Sequence, residues 1–401
     1  MNEEIEKTVT KIRSPFDTDS LEKFLTSDIS QNSQVSLGVE IPKWKAPLTI
    51  KQFTFGQSNP TYLIIDGDNK LSVMRKKPSP NAKLVSKSAH AIEREFFILN
   101  GINRLNQNTD KKVPIPQTYF LCEDESVIGY VFYVMEFIDG TSIKNPDMTA
   151  ISDEKRQVLW NSIMETITAI HSLDAEKLID LLPEKHFPQF KKPSNKSTSY
   201  FERQIKTLAA VSQKQSEVVD PIPDFNKITS YILRNAPKDP TKLSLIHGDC
   251  KIDNFIFSKD QTRVIAVLDW ELCTFGHPLF DLANFLQNFQ LPNQLNRMMF
   301  SPLKTQMGIE NPESLALIKE KLKLYYEKLG HPWDENDPSN DPLKKWPVGF
   351  VFGLTRLSVI AQGIAMRVKK GSASSANATA FGSLYPYLAE ICMENINQSH
   401  L

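Results

Sequence analysis

The segment HGDCKIDN occupies residues 247–254, and the tripeptide DWE follows at residues 269–271. Apolar runs flank both motifs, with FIF at residues 255–257 and VIAVL at residues 264–268. Such short apolar runs predict buried strands, so the polar residues lie in loops at strand ends. A carboxylate at the end of a buried strand is costly unless a bound group compensates it. These two motifs are therefore the first candidates for chemistry.

The spacing within the motifs matches what phosphoryl transfer from a nucleotide requires. Four residues separate Asp249 from Asn254, as they separate the base from the metal-binding Asn of the protein-kinase loop HRDxxxxN. Asp249 is the predicted general base, and Asn254 with Asp269 is the predicted Mg²⁺ pair, brought together by one hairpin. The alternative for Asp249 is an ordinary turn residue after Gly248, and the alternative for Asp269 is a helix cap at the end of a strand. Taken together, the three residues favour phosphoryl transfer with ATP and Mg²⁺ as cofactors.

The chain upstream of these motifs has the pattern of a small antiparallel sheet. Residues 62–65 and 71–75 are apolar runs around the turn DGDN, which predicts a hairpin. A helix is expected around Ser88–Leu99, and two more strands at Gln117–Cys122 and Tyr130–Phe137. From Gly140 onward the periodicity is mostly helical. The order predicts an α+β chain with a β-rich part followed by a larger helical part.

Two charged residues of this β-rich part are candidates for a phosphate clamp. Arg75 ends the second strand of the hairpin, where protein kinases carry a Lys that binds the nucleotide phosphates. Glu95 lies in the predicted helix and is the expected ion-pair partner. Because Lys76 and Lys77 follow directly, the register is open by one residue, and Glu93 is the alternative carboxylate.

Two further segments complete the predicted nucleotide site. Ser58 and Asn59, in FGQSNPTY, lie where a phosphate-covering loop belongs, although a plain β-turn is an equal alternative. Glu136 and Phe137 follow the last predicted strand of the sheet. They occupy the expected hinge, where backbone groups would bind adenine, and the alternative is a simple linker.

Composition bounds the classes of function. The chain has 401 residues, too many for one simple core, and its charges balance to a formal net charge of zero at pH 7. A nucleic-acid or membrane-surface partner is therefore not expected, because such proteins carry a basic excess. No run of about eighteen apolar residues is present, so no membrane span is expected.

The cysteines and the chain ends carry the remaining signals. The four cysteines form no CxxC pair, which indicates neither a zinc site nor a disulfide framework and favours a reducing compartment. The N-terminal sequence is acidic and lacks the apolar core of a secretory signal. The last residues, Ser399, His400 and Leu401, differ by one residue from the Ser-Lys-Leu peroxisomal address. They predict a peroxisomal import receptor as partner and a peroxisomal location, with a chance tripeptide and a cytoplasmic location as the alternative.

The pattern HGDxxxxN, an apolar strand and DWE resembles the aminoglycoside phosphotransferase (choline-kinase-like) superfamily. That resemblance implies a bilobal protein-kinase-like fold with a small β-rich N-lobe and a larger helical C-lobe. It also implies that Asp281, in GHPLFDLA, braces the catalytic loop and that His247 supports it. His277 stands where the family has Asp, and a core or surface His is expected. Protein kinases differ, since they carry HRD, DFG and an activation loop.

Longer strings, among them GQSNPTY, VMRKKP, SAHAIEREF and VIAVLDWELCTFGHPLFDLAN, resemble the phosphotransferase domain of acyl-CoA dehydrogenase family members. This resemblance covers residue 50 to about 390. It implies a hydroxyacyl-CoA or a hydroxy acid of fatty-acid breakdown as the small-molecule acceptor. Arg356, Gln362 and Arg367 are the possible substrate contacts, with ordinary packing or surface roles as the alternative.

The predicted domain organisation is a polar extension over residues 1–45, an N-lobe over 46–138 and a C-lobe over 139–401. The extension is expected to be mobile or loosely docked. Two other functions stay open from sequence: a nucleotide-binding pseudokinase or scaffold, and a kinase of another alcohol or amino alcohol.

Overall fold

Alternating apolar residues on both sides of the turn Asp66–Asn69 form the hairpin that organises the N-terminal part of this computed structural model. The structure describes residues 3–27, 29, 33–54, 59–78, 92–191, 198–300, 307–337, 339–372 and 378–398. Asp66 stabilises the turn because its Oδ1 accepts from the backbone N–H groups of Asp68 and Lys70, at 2.9 and 2.8 Å. Asn69 has φ of 62°, which Asn tolerates better than most residues.

The strands of the described chain are short. They are β1 Val9–Thr10, β2 Gln34–Val35, β3 Thr49–Phe53, β4 Thr61–Ile65, β5 Leu71–Lys76, β6 Thr118–Cys122, β7 Phe132–Glu136, β8 Thr141–Ser142, β9 Ser244–Ile246, β10 Phe255–Phe257, β11 Val264–Val267 and β12 Thr274–Gly276.

The helices carry most of the C-terminal part. They are α1 Glu3–Thr8, α2 Thr18–Leu25, α3 Ile92–Asn106, α4 Asp153–Ser172, α5 Ala175–Leu181, α6 Pro188–Lys191, α7 Tyr200–Gln215, α8 Phe225–Asn235, α9 Leu279–Leu286, α10 Asn293–Phe300, α11 Pro312–Leu329, α12 Pro342–Lys369, α13 Ala378–Gly382 and α14 Tyr385–Gln398. The predicted antiparallel strands and helical C-terminal part are confirmed.

The chain divides into two compact units. Unit 1 comprises residues 1–142, 174–193 and 254–273, and unit 2 comprises residues 143–173, 194–253 and 274–401. Unit 1 contains an antiparallel seven-stranded sheet in the order β1-β3-β4-β5-β7-β6-β2. It also contains the β11-β10-β8 sheet. The division differs from the predicted lobes because two later segments of the chain pack within unit 1.

The described part of residues 1–45, predicted as a mobile or loosely docked extension, packs on the sheet of unit 1. Strands β1 and β2 pair with β3 and β6. Helix α2 places Leu21, Phe24 and Leu25 in the core of unit 1, where the Phe24 ring lies 5.8 Å from that of Phe132. The apolar positions of this short helix bury one face, which stabilises the segment on the sheet.

Unit 2 is built around the 28-residue helix α12. It packs against α7, α8, α9, α11, α13 and α14. Gly349 and Gly353 permit a close approach, because a Cβ at these positions would lie 2.8 Å from Leu279 and 2.7 Å from Gln287. In length and mean hydropathy α12 would suffice to cross a membrane, although polar residues such as Arg356 and Gln362 interrupt its apolar sequence. However, 72% of its most apolar window is buried inside the protein, which is typical of a core helix.

Candidate active site

The hairpin β10–β11 in unit 1 brings Asn254 and Asp269 to the same end, as the sequence predicted. Phe255 pairs with Val267, and the backbone N–H of Leu268 donates to the carbonyl of Asn254 at 2.8 Å. Asn254 is buried, and Asp269 follows one residue after Leu268. The register of the hairpin therefore places Asn254 and Asp269, fifteen residues apart in sequence, at one end of the hairpin.

The backbone at Asp269 is held in an unusual conformation. Asp269 has φ of 67° and ψ of 59°, a left-handed conformation that costs free energy in a non-glycine residue. The following residue fixes it, since the Trp270 N–H donates to Glu95 at 3.1 Å and its indole N–H donates to the Val267 carbonyl at 2.9 Å. Trp270 is buried, so packing of its ring offsets the strain.

Arg75 and Glu95 form the ion pair predicted from sequence, deep in unit 1. The Arg75 guanidinium also lies 3.2 Å from Asp269 Oδ1 and 3.8 Å from Glu271 Oε2. Burial works against the charge of Arg75, but Glu95 above all, with Asp269 and Glu271, raises the pKa of Arg75. The site therefore holds a permanent cation beside the Asp269 carboxylate.

The two residues after Arg75 settle the register that the sequence left open. Lys76 lies on the opposite face of β5, where its Nζ donates to Ser14 Oγ at 3.1 Å. Lys77 pairs with Glu93, the alternative carboxylate. Alternation along the strand places Lys76 on the opposite face from Arg75. Lys77, two residues after Arg75, points to the same side as Arg75 but takes the other carboxylate of α3, so Arg75 is the cation that pairs with Glu95.

Asn59 connects the start of β4 to the DWE motif. Its Nδ2 donates to Glu271 Oε2 at 2.8 Å, and its side chain is fully buried. Asn59 Oδ1 is buried without a hydrogen-bond partner among the described residues, which leaves an acceptor for a bound group. Ser58 lies outside the described residues. Sequence reasoning gave Glu271 no role, although its place two residues after Asp269 was a usable signal.

The hinge residues lie at the end of β7. The Glu136 carboxylate accepts from the backbone N–H of Gln117 at 3.1 Å, and the Glu136 N–H donates to the Gln117 carbonyl at 2.8 Å. Phe137 follows, half-buried. Because the Glu136 carboxylate is engaged with Gln117, a role in adenine binding is left to backbone groups.

Unit 2 holds the catalytic loop through Asp281, in the arrangement that the resemblance implied. Asp281 is fully buried, and its carboxylate accepts from the N–H groups of His247 and Gly248 at 2.7 and 3.0 Å. Gly248 has φ of 84°, so a side chain here would strain the backbone. His247 is buried, and its Nδ1 accepts from the Asp249 N–H at 3.2 Å.

Two neighbours of this loop were missed from sequence. His171 on α4 lies 3.2 Å from Asp281 Oδ2 and 3.0 Å from the Tyr325 hydroxyl, so it supports the brace from behind. The sequence indicated this residue only as a single His on the apolar face of a predicted helix. Lys251 Nζ lies 3.0 Å from Asp249 Oδ2, and the Asp249 side chain is 27% exposed. The predicted base is thus reachable and orientated.

His277 is a core residue, one of the two expected alternatives. It is fully buried, its Nδ1 accepts from the Leu279 N–H at 3.1 Å, and its ring packs edge-on against Trp333. Burial lowers the pKa of His277 to about 3, so the imidazole is neutral at physiological pH.

The three possible substrate contacts on α12 lie in different surroundings. Arg356 stacks over the Phe280 ring at 4.0 Å, and its Nη2 lies 3.5 Å from the Gly248 carbonyl. Gln362 is fully buried, and its amide bonds to Ser212, Ser216 and the carbonyl of Asp220. Arg367 is half-buried near the end of the helix. Only Arg356 contacts the catalytic loop, and Gln362 fastens α12 to α7 and the segment after it.

The residues of unit 1 fit a magnesium ion that is bound chiefly through a nucleotide. Among the described residues no group of three or more His, Cys, Asp or Glu side chains suits a metal ion. Mg²⁺ commonly uses one or two protein carboxylates together with substrate phosphates. The Asp269 side chain is 33% exposed, so its carboxylate is accessible to a ligand at the end of the hairpin where Asn254 also lies.

Known proteins share this arrangement of motifs. The family model described as "Phosphotransferase enzyme family" matches residues 49–304. "Acyl-CoA dehydrogenase family member 10" of Mus musculus is 31% identical over 378 residues, covering 94% of this chain and 31% of that protein. "Acyl-CoA dehydrogenase family member 11" of the same species is 31% identical over 377 residues, covering 94% and 42%. The chain thus spans less than half the length of these relatives.

A solved structure matches across nearly the whole chain. A Ralstonia eutropha protein assigned to the aminoglycoside phosphotransferases is 29% identical, with a TM-score of 0.69. The match covers 96% of this chain and 99% of that one. The kinase-like architecture expected from the motifs is therefore confirmed.

Proposed function

Because this chain belongs to the phosphotransferase enzyme family, whose members transfer a phosphoryl group to a hydroxyl, we propose that it phosphorylates a small-molecule alcohol with ATP. The observation that carries the proposal is the buried Arg75–Glu95 pair beside Asp269, at the end of the hairpin that also presents Asn254. A cation, a carboxylate and an amide in this order are what binding a metal–nucleotide complex requires.

The nucleotide half of the proposal rests on unit 1. Arg75, orientated by Glu95, would bind phosphate oxygens through its planar guanidinium. Asn59 and Ser58 would donate N–H or O–H groups to phosphate oxygens. Asp269 and Asn254 would hold Mg²⁺, which when bound neutralises charge on the phosphates. Backbone groups at Glu136 and Phe137 would bind the adenine.

The acceptor half rests on Asp249. Its carboxylate would accept the proton of the acceptor hydroxyl as the oxygen forms a bond to the γ-phosphorus and the bond to the departing ADP breaks. Asp281 and His247 keep the loop in the required shape. Lys251 contacts the same carboxylate and orientates it.

For the acceptor we propose a hydroxyacyl-CoA or a hydroxy acid of fatty-acid breakdown. The support is the likeness to two proteins described as acyl-CoA dehydrogenase family members. The alternatives are another alcohol or amino alcohol, and a protein that binds nucleotide without transferring it. Assays of ATP consumption with hydroxyacyl-CoAs, hydroxy acids and amino alcohols separate these acceptors.

Asp249→Asn is the direct test of the chemistry. The amide has the same shape but cannot accept the proton, so turnover should fall by about 10²- to 10⁴-fold while Mg·ATP affinity stays unchanged. Asp253→Asn is the matched control, because this aspartate lies in the same loop with its side chain 50% exposed. Full turnover in Asp249→Asn would remove Asp249 from the mechanism. Mg·ATP binding by the unmodified protein with transfer to none of the acceptors would favour the non-catalytic alternative.

For the location we propose the peroxisome, through an import receptor that binds Ser399, His400 and Leu401. These residues lie outside those the structure describes, so the proposal rests on sequence alone. Deleting the three residues from a protein tagged at its N-terminus should move the fluorescence from peroxisomes to the cytosol. Restoring them as Ser-Lys-Leu should return it. Peroxisomal fluorescence that survives the deletion contradicts the proposal, and cytosolic fluorescence of the full chain favours the cytoplasmic alternative.

A further inference from the structure

Arg356 contacts the predicted catalytic loop of unit 2 at Gly248, and the proposed function uses neither Arg356 nor Tyr200. Arg356, a possible substrate contact from the sequence, is on α12, beyond the residues 49–304 that match the family model. Tyr200 begins α7. Both side chains pack against Phe280 on α9, the Tyr200 ring at 6.0 Å between ring centroids and the Arg356 guanidinium at 4.0 Å. The two residues therefore share one place in the fold.

The Arg356 guanidinium is short of partners. It has five N–H donors, yet among the residues that the structure describes it makes a single hydrogen bond, the long one of 3.5 Å to the Gly248 carbonyl. No carboxylate lies within 4.0 Å of it in the part of the chain that the structure describes. Burial lowers the pKa of Arg356, against the opposing influence of Tyr200, Asp249 and Asp281. The side chain is half-buried, so its other N–H donors remain available to an oxygen of a ligand.

The Tyr200 hydroxyl is short of partners as well. Tyr200 is 2% exposed, and its hydroxyl has no hydrogen-bond partner among the described residues. The Tyr200 ring packs directly on Gly276, so closely that a Cβ at this glycine would lie 2.2 Å from the ring. The backbone N–H of Tyr200 donates to Asp239 at 2.8 Å. These contacts restrict movement of the side chain. Burial above all raises the pKa of the Tyr200 hydroxyl, and of the charged groups around it Asp281 raises that pKa further while Arg356 lowers it. A fixed, buried O–H donor therefore lies in the field of an unpaired cation.

The half-buried Arg356 guanidinium and the buried Tyr200 hydroxyl, which pack on the same phenylalanine, point to a ligand of defined charge. Buried polar groups in folded proteins are nearly always hydrogen-bonded, so the missing acceptor should belong to the bound substrate. Its sign follows from Arg356, since only an oxygen carrying full or partial negative charge satisfies a guanidinium. An ammonium group at this place would face a fixed cation and be repelled.

We propose that Arg356 and Tyr200 form a subsite that binds a carboxylate or thioester-carbonyl oxygen of the acceptor, beside the hydroxyl that Asp249 deprotonates. The inference rests on the proposed function and narrows its substrate class. Acidic or acylated hydroxy compounds are accepted, and amino alcohols and plain diols are discriminated against. Arg356 supplies the positive charge, and the Tyr200 hydroxyl donates a hydrogen bond that orientates the oxygen of the acceptor. Phe280 holds the guanidinium plane in place.

The test measures binding, so that it stands even where phosphoryl transfer is not detected. The probes are hydroxybutyrate, hydroxybutyryl-CoA, butanediol and aminobutanol, titrated calorimetrically into the full chain with Mg²⁺ and a non-hydrolysable ATP analogue. Hydroxybutyrate carries a carboxylate and hydroxybutyryl-CoA a thioester carbonyl, and these two are the oxo-group probes. At least one of them should bind more than tenfold tighter than butanediol and aminobutanol. Arg356→Gln should weaken that probe about 10- to 100-fold, and Tyr200→Phe several-fold. Arg356→Lys should recover part of the loss, because it keeps the charge but not the planar donor geometry.

Arg234→Gln is the control, since it removes an exposed arginine of the same unit. Three results would overturn the subsite. They are equal binding of all four probes, absence of binding by both oxo-group probes, and unchanged affinity in Arg356→Gln. A purely structural role of Arg356 is also distinguishable, because it would weaken the diol and the acid alike. Asp249→Asn tests only the catalytic step and should leave the affinities of the four probes unchanged. Failure of the proposed phosphoryl transfer and failure of the Arg356–Tyr200 subsite are therefore seen in separate measurements.

Discussion

Arg75 and Lys76 are consecutive basic residues with opposite environments. Arg75 faces α3 and is compensated by Glu95, whereas Lys76 points to the other face of β5 and is fully buried there. The Lys76 ammonium lies 3.7 Å from the centre of the Tyr130 ring and donates to Ser14 Oγ, and no carboxylate pairs with it among the described residues. Burial therefore lowers the pKa of Lys76 from 10.5 to about 8. Between about pH 8 and 10.5, Lys76 is therefore mostly neutral in the folded protein and mostly charged in the unfolded chain.

This difference predicts a stability that depends on alkaline pH. Between about pH 8 and 10.5 the folded protein binds fewer protons than the unfolded chain, so its free energy of unfolding rises with pH across that window. Lys76→Met removes the titration. The stability of the unmodified protein relative to this variant should increase by on the order of 2 kcal/mol from pH 7 to pH 10.5.

Urea unfolding of both proteins at a series of pH values measures the effect. Lys70→Met serves as control, since Lys70 is exposed in the preceding turn. Parallel pH profiles for the unmodified protein and Lys76→Met would show that the ammonium is not desolvated as described.

At the scale of elements, α2 shows how a short segment escapes sequence reasoning. Its eight residues begin after Asp17, whose Oδ1 accepts from the Ser20 N–H at 2.9 Å. Three apolar residues in two turns are too few to distinguish a docked helix from a mobile one by periodicity. The partners that make α2 stable, among them Phe120 and Phe132, come from strands far along the chain.

Leu21→Ala tests whether α2 is part of the core. Leu21 is fully buried, so the variant should destabilise unit 1 by about 2 to 5 kcal/mol. Lys23→Ala changes an exposed residue of the same helix and should have little effect. Because a chain with two units need not unfold in one step, amide hydrogen exchange of the β4–β5 hairpin is the suitable measurement. Unchanged protection in Leu21→Ala would restore the view of a loose extension.

At the scale of the whole molecule, the two compact units do not follow the order of the chain. The β10–β11 hairpin belongs to unit 1 because it pairs with β8 and because the Val267 N–H donates to the Pro114 carbonyl at 2.8 Å. The eight-residue motif HGDCKIDN is consequently divided, with Asp249 in unit 2 and Asn254 in unit 1. A single cut at residue 138 does not describe this organisation, since contacts distant in sequence decide it.

The sequence by itself determined the chemistry-bearing motifs. The spacing of Asp249, Asn254 and Asp269 follows from covalent geometry and from the pairing of a short hairpin, both local properties of the chain. The antiparallel strands and the Arg75–Glu95 pair followed from residue alternation and from the template that the motifs matched. These features need no knowledge of distant contacts.

Tertiary structure alone decided the rest. The docking of α2, the support that His171 gives to Asp281, and the engagement of Gln362 with α7 all depend on residues brought together from far apart in the chain. The same holds for Arg356 and Tyr200, which the sequence separates by more than 150 positions and the fold places on one phenylalanine. Local patterns specify which residues carry charge, but burial and the identity of the neighbours determine which charges are left for a substrate.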